Sequence, residues 1–139
     1  YGLVGGSANA VGPGRRPLSS MTPTFLEGPD RIGILGTPGG SRIISMVLIG
    51  VLEYARGEDP DKWVSAPRYH HQYLPDHVEF EAGGLDAATQ AALAAKGHKL
   101  NENKRRYGNM QAILWDRKSG KVKAASDPRG EGKSEVWVP

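Results

Sequence analysis

Apolar and polar positions divide the chain into short elements. Ser20 to Leu26 has the make-up of a strand interrupted by Pro23, Glu27 to Arg31 is a turn built on Gly28-Pro29-Asp30, and Ile32 to Leu35 is a second strand. Together they predict a hairpin. Gly36 to Gly40 breaks that pattern. From Ser41 to Arg56 the residues Ile43, Ile44, Val47, Leu48, Val51, Leu52 and Ala55 follow helical spacing, and Gly57 closes the run. Pro60 suits a first helical position, and Trp63-Val64 predict a shorter helix before Ala66-Pro67. His77 to Glu81 alternates as a strand, and Asp86 caps a helix that runs through Leu93 to Lys96 and stops at Gly97. Met110 to Trp115 and Val122 to Ala125 flank Asp116-Arg117-Lys118-Ser119-Gly120 as a second hairpin. Tyr1 to Pro17 is rich in Gly, Asn and Pro and reads as a loop. The order predicts an α+β chain with helices packed on one largely antiparallel sheet.

A length of 139 residues fits a single domain, residues 1–139, with a core of its own. Gly 19 and Pro 10 make that domain loop-rich. The absence of cysteine excludes disulfides, thiolate metal sites and a cysteine nucleophile. No apolar run approaches the roughly 20 residues that span a bilayer, so no transmembrane segment is expected. The start at Tyr1 lacks the flanks of a signal peptide, and we expect a segment of a longer or processed chain. Net charge is +3, with the excess in Lys104-Arg105-Arg106 and in Arg117-Lys118 to Lys121-Lys123. No groove-reading or base-stacking motif accompanies it, so the run reads as a solvated hairpin and loop, and no nucleic-acid partner is expected.

The turn Gly36-Thr37-Pro38-Gly39-Gly40-Ser41-Arg42 joins a strand to a helix. Adjacent glycines expose consecutive N–H groups, and the helix adds its partial positive charge, so the turn suits an anion. That anion is either a phosphate or the oxyanion of an acyl-transfer intermediate; the plain alternative is a tight connection with Ser41 as a helix cap. No Gly-Lys-Ser/Thr follows, which excludes a Walker loop. Ser19-Ser20 place two hydroxyls where they either donate to a substrate carboxylate or cap the backbone. If the hairpin forms, these serines and Gly39-Gly40 lie at the same end of the sheet. His70-His71 with His77 invite a metal reading, yet adjacent histidines point apart in an extended segment. A Ser20, His70 and Asp triad lacks the Gly-x-Ser-x-Gly elbow. Arg68, Tyr69 and the histidines read instead as structural hydrogen-bonders packed beside Trp63 and Tyr73.

Five ordered motifs resemble the small subunit of gamma-glutamyltransferases (gamma-glutamyltranspeptidases). They are Tyr1-Gly2-Leu3-Val4-Gly5-Gly6 with Asn9-Ala10, Arg16-Pro17-Leu18-Ser19-Ser20-Met21-Thr22-Pro23-Thr24, Pro38-Gly39-Gly40-Ser41-Arg42-Ile43-Ile44, Ala66-Pro67-Arg68-Tyr69-His70-His71-Gln72 and Ala125-Ser126-Asp127-Pro128-Arg129. The resemblance implies a four-layer αββα N-terminal-nucleophile hydrolase fold, of which this chain is a part. It implies a precursor that cleaves itself into two subunits, and transfer or hydrolysis of glutathione and related gamma-glutamyl amides through a threonine acyl-enzyme. In the family the serines matched by Ser19 and Ser20 hold the donor's α-carboxylate, and the glycines matched by Gly39 and Gly40 form the oxyanion hole.

Tyr1 stands downstream of the position where the family keeps its nucleophilic threonine, so no nucleophile is expected in this chain. The partners implied are the large subunit, which supplies an arginine, and the N-terminal part of the small subunit, which supplies acidic and amide residues for the donor's α-amino group. Substrates are the gamma-glutamyl donor with water, an amino acid or a peptide as acceptor; no cofactor or metal is expected. Family resemblance implies a periplasmic or extracellular location. The rival readings are a non-catalytic binding or assembly module and a related beta-lactam acylase.

Overall fold

The computed structural model describes residues 6–137; Tyr1 to Gly5 of the first motif and the last two residues lie outside the described residues. In chain order the elements are β1 (Thr24–Glu27), β2 (Arg31–Gly36), α1 (Ile43–Ala55), α2 (Pro60–Ser65), β3 (Tyr69–Gln72), β4 (His77–Glu81), α3 (Ala87–Ala95), β5 (Leu100–Asn103), β6 (Gln111–Asp116) and β7 (Val122–Ser126). Both predicted hairpins form, and both predicted glycine stops take positive φ, 87° at Gly57 and 88° at Gly97. Asp86 caps α3 by accepting the Thr89 N–H at 2.6 Å.

Two sheets replace the single one expected. β1-β2-β6-β7 is antiparallel throughout, whereas β3-β4-β5 combines an antiparallel pair with a parallel one, β4 with β5. The parallel pair follows from α3, which carries the chain from the end of β4 back to the start of β5. β1 begins at Thr24, not at Ser20, because Pro23 has no N–H to give the ladder. Ser19 and Ser20 therefore lie in the irregular segment before the strand.

α1 and α2 cover one face of the first sheet. Leu35, Ala112 and Ala125, register partners across β2, β6 and β7, meet Ile43, Met46, Val47, Trp63, Val64, Met110 and Leu114 in one buried cluster. The opposite face carries a second apolar row, Phe25, Ile34, Ile113 and Ala124, again in register. Phe25 is 73% exposed and Ile113 41%. α1 is likewise apolar on two sides: Ile43 and Val47 are buried, while Ile44, Leu48 and Leu52 form an exposed stripe at i, i+4 and i+8.

Candidate active site

Thr24 pairs with Leu35, so the segment before β1 and the segment after β2 leave the same end of the ladder. Ser19-Ser20 and Gly39-Gly40 thus belong to segments that leave one end of the sheet, as the hairpin predicts. Gly39 has φ 154° and ψ 11°, a combination that glycine alone adopts readily, and Gly40 follows at φ 59°. Gly40–Arg42 form a single 3-10 turn that runs directly into α1.

Ser41 is not the helix cap. It lies inside the 3-10 turn, and the N-cap positions belong to Gly39 and Arg42, neither with a side-chain cap bond. A helix start without such a cap keeps its first N–H groups available to an outside acceptor. Among the described residues no hydrogen bond consumes the Gly39 or Gly40 N–H, while the Gly39 carbonyl accepts from Arg42. An uncapped helix start with free N–H groups is chemically suited to an anion.

Close contacts fix the floor of the turn. Met46, fully buried on α1, puts its methyl group 2.4 Å from where a Cβ on Gly39 would stand. The Thr37 hydroxyl donates to the Pro38 carbonyl at 3.0 Å and accepts the Asn109 N–H at 3.2 Å. On the other side, Ser19 Oγ accepts the Met21 N–H at 3.1 Å, which leaves its own O–H to donate elsewhere. Ser19 is exposed and Ser20 half-buried.

The histidines do not join this site. His70 and His71 face opposite ways, as expected for an extended segment. His70 is buried with both ring nitrogens engaged, Nδ1 with Ser45 Oγ at 2.7 Å and Nε2 with Gln72 Oε1 at 2.8 Å, which leaves nothing for Ser20. His71 pairs with Asp76 and His77 with Glu79. Glu79 also takes Arg42 Nε at 2.9 Å and Nη2 at 2.5 Å. Although burial raises the Glu79 carboxyl, Arg42 and His77 hold it below its ordinary range. Tyr73 is 64% exposed, whereas Trp63 is buried and meets Tyr54 edge-on at 5.5 Å.

A buried ionic network was not foreseen. Arg68 and Arg129 share Asp127, and Arg129 also grips Glu81 with Nε to Oε1 at 2.9 Å and Nη2 to Oε2 at 2.6 Å. Two arginines thus meet two carboxylates, and all four side chains are nearly inaccessible. Asp127 also accepts the Met110 N–H at 3.0 Å and the Arg129 N–H at 2.9 Å. Burial pushes its carboxyl up, but these N–H donors and Arg68 outweigh it and hold the group below its usual range. Glu81 ends β4 and Asp127 follows β7, so the network ties the two sheets together. The sequence signal was present in the Pro67-Arg68 and Asp127-Pro128-Arg129 motifs, whose charges look solvent-bound until their partners are known.

The basic run on the β6–β7 hairpin is largely neutralised. Arg117 pairs with Glu27, Lys118 with Asp30 and Lys123 with Asp59, in keeping with a solvated hairpin. Among the described residues no helix is long and apolar enough to cross a membrane.

A family model described as gamma-glutamyltranspeptidase matches residues 1–137. The chain is 44% identical over 133 residues to the glutathione hydrolase proenzyme of Escherichia coli K12, covering 93% of this chain and 22% of that protein. It is 39% identical over 145 residues to the Pseudomonas aeruginosa glutathione hydrolase proenzyme, covering 100% of this chain and 25% of that protein. A mutant Helicobacter pylori gamma-glutamyltranspeptidase superposes with a TM-score of 0.84 at 37% identity, over 94% of this chain and 72% of that one. The α+β architecture is accordingly part of the four-layer αββα N-terminal-nucleophile hydrolase fold. The chain spans a quarter or less of the length of the two proenzymes.

Proposed function

The chain belongs to the gamma-glutamyltranspeptidase family, and from that premise we propose that it supplies the oxyanion hole, Gly39 and Gly40, and the α-carboxylate clamp, Ser19 and Ser20, for gamma-glutamyl transfer or hydrolysis. The observation that supports this reading is the shared sheet end: the segment carrying Ser19 and Ser20 and the glycine turn leave the same end of the β1–β2 ladder, and among the described residues no hydrogen bond uses the Gly39 or Gly40 N–H.

A threonine contributed from outside residues 1–139 attacks the gamma-glutamyl carbonyl, its own amine taking the proton. Negative charge then develops on the carbonyl oxygen, where the Gly39 and Gly40 N–H groups and the start of α1 stabilise it. A preorganised donor of this kind lowers the barrier by about 3 to 4 kcal/mol. The leaving amine departs with a proton, and water or an acceptor amine resolves the acyl-enzyme. Ser19 and Ser20 hold the donor's α-carboxylate meanwhile, which sets the gamma carbonyl against the turn.

The partners proposed are a large subunit and the N-terminal part of the small subunit, made as one precursor. The in-register apolar row Phe25, Ile34, Ile113 and Ala124 supports them, since a contiguous exposed sheet face of this kind calls for a covering layer. We place the assembled enzyme in the periplasm or outside the cell, by analogy with the family.

Replacing Ser19 and Ser20 by Ala in the complete precursor tests the clamp. Each hydrogen bond to a charged group contributes about 1.5 to 3 kcal/mol, so each substitution should lower kcat/KM for a gamma-glutamyl amide roughly 10- to 100-fold. A donor analogue without the α-carboxylate should be almost unaffected. Unchanged efficiency with the full donor rules the assignment out.

A further inference from the structure

Thr37 ties the glycine turn to the segment between β5 and β6. Its hydroxyl receives the Asn109 N–H at 3.2 Å and gives its proton to the Pro38 carbonyl at 3.0 Å, with Met46 Sδ at 3.9 Å. Asn109 lies in the segment between β5 and β6, which is itself held at several points. Arg68 donates to the Tyr107 carbonyl, and Asp127 accepts the Met110 N–H. Between them Gly108 has φ 86°, and a Cβ there would fall 2.3 Å from Arg68 Nη1 and 2.4 Å from Met46 Sδ. Segment 107–110 is therefore pinned against the Arg68–Asp127 pair and the Met46 side chain. The Thr37 hydroxyl passes that fixity to Pro38-Gly39-Gly40.

We propose that Thr37 is a positioning residue for the oxyanion-binding amides: its hydroxyl locks the glycine turn to the pinned 107–110 segment and touches no reacting atom. The proposal rests on the reading of Gly39 and Gly40 as the oxyanion hole. An oxyanion hole works through donors already in place, so loosening their anchor should slow acylation while leaving donor binding nearly intact.

The test compares Thr37→Val and Thr37→Ser in the complete precursor, with rates normalised to processed enzyme. Val keeps the branched shape and loses both hydrogen bonds; Ser keeps the hydroxyl. With a chromogenic gamma-glutamyl anilide, the single-turnover acylation rate of Thr37→Val should fall about tenfold or more. KM should stay within about threefold, and Thr37→Ser should retain most of the rate. Amide exchange in peptides covering residues 37–41 and 107–110 should accelerate in the Val variant alone. Acylation by Thr37→Val at the normal rate, or equal impairment by Ser and Val, overturns the proposal. Should the wild-type precursor turn over no gamma-glutamyl donor, the functional reading fails, and exchange decides the anchoring by itself: unchanged exchange in Thr37→Val overturns it. If Thr37→Val does not assemble, Thr37→Ala carries the same comparison.

Discussion

Asp127→Asn should be one of the most damaging conservative substitutions in the chain. The carboxylate receives Arg68 and the Met110 N–H on Oδ2, and Arg129 Nη1 with the Arg129 N–H on Oδ1. An amide can keep only one of these two acceptor faces, because its NH2 confronts donors on the other. It also leaves two buried arginines with Glu81 as their single counter-charge. Removing one partner of a buried pair typically costs about 3 to 5 kcal/mol. At about 1.4 kcal/mol per factor of ten, amides that exchange by opening of this region should exchange roughly 10²- to 4 × 10³-fold faster. Hydrogen exchange with mass detection on the intact precursor reads this directly. The peptides to follow carry the Glu81, Met110 and Asp127 amides, which donate to Arg68 O, Asp127 Oδ2 and Met110 O. Adding Arg68→Met restores a balanced Glu81–Arg129 pair, so the double variant should cost less than the sum of the two singles by about 0.5 to 3 kcal/mol. Exchange within about threefold of wild type in Asp127→Asn, or strict additivity in the double variant, refutes the reasoning.

Three further outcomes are expected. Gly39→Ala should lower kcat by about 10² or more, and adding Met46→Ala should restore part of it, since the new methyl meets Met46 Cε; an identical defect in both variants would assign the loss to backbone strain alone. The Asp127 carboxyl titrates lower in the folded protein than in the unfolded chain. Its contribution is therefore complete above the unfolded pKa and lost as pH falls through the folded one, and the acid limb of a fluorescence titration should flatten in Asp127→Asn. Asp86→Ala should speed exchange of the α3 amides severalfold while Asp86→Asn does not, because the Asn carbonyl can still accept the Thr89 N–H.

The legible parts of this fold were those written in local chemistry. The hairpin around Gly28-Pro29-Asp30, the Asp86 cap and the glycine stops at 57 and 97 are decided by residues a few positions apart, and all are found where the pattern put them. β3 and β5 were not legible: Tyr-His-His-Gln and Leu-Asn-Glu-Asn carry too few apolar residues to look like strands, and β4 recruits them by pairing. At the site, the glycine turn announced itself by composition, and the serine pair gained meaning from the hairpin, whose register starts both segments from one end of the ladder. Thr37 and Met46 gave no such signal, because a hydroxyl after a strand and a methionine in a helix are ordinary residues until the 107–110 segment is folded against them. The buried network was hidden for a related reason. Arg68 and Asp127 are 59 positions apart, and charged side chains rarely forgo solvent without a partner that sequence alone does not identify.

The most direct measurement is a crystal structure of the processed enzyme with a gamma-glutamyl group trapped as a tetrahedral adduct. The account predicts the adduct's oxyanion about 2.7 to 3.1 Å from the Gly39 and Gly40 nitrogens, with the α-carboxylate in hydrogen-bond reach of Ser19 and Ser20. An oxyanion turned away from the glycine pair and held by other donors would contradict it.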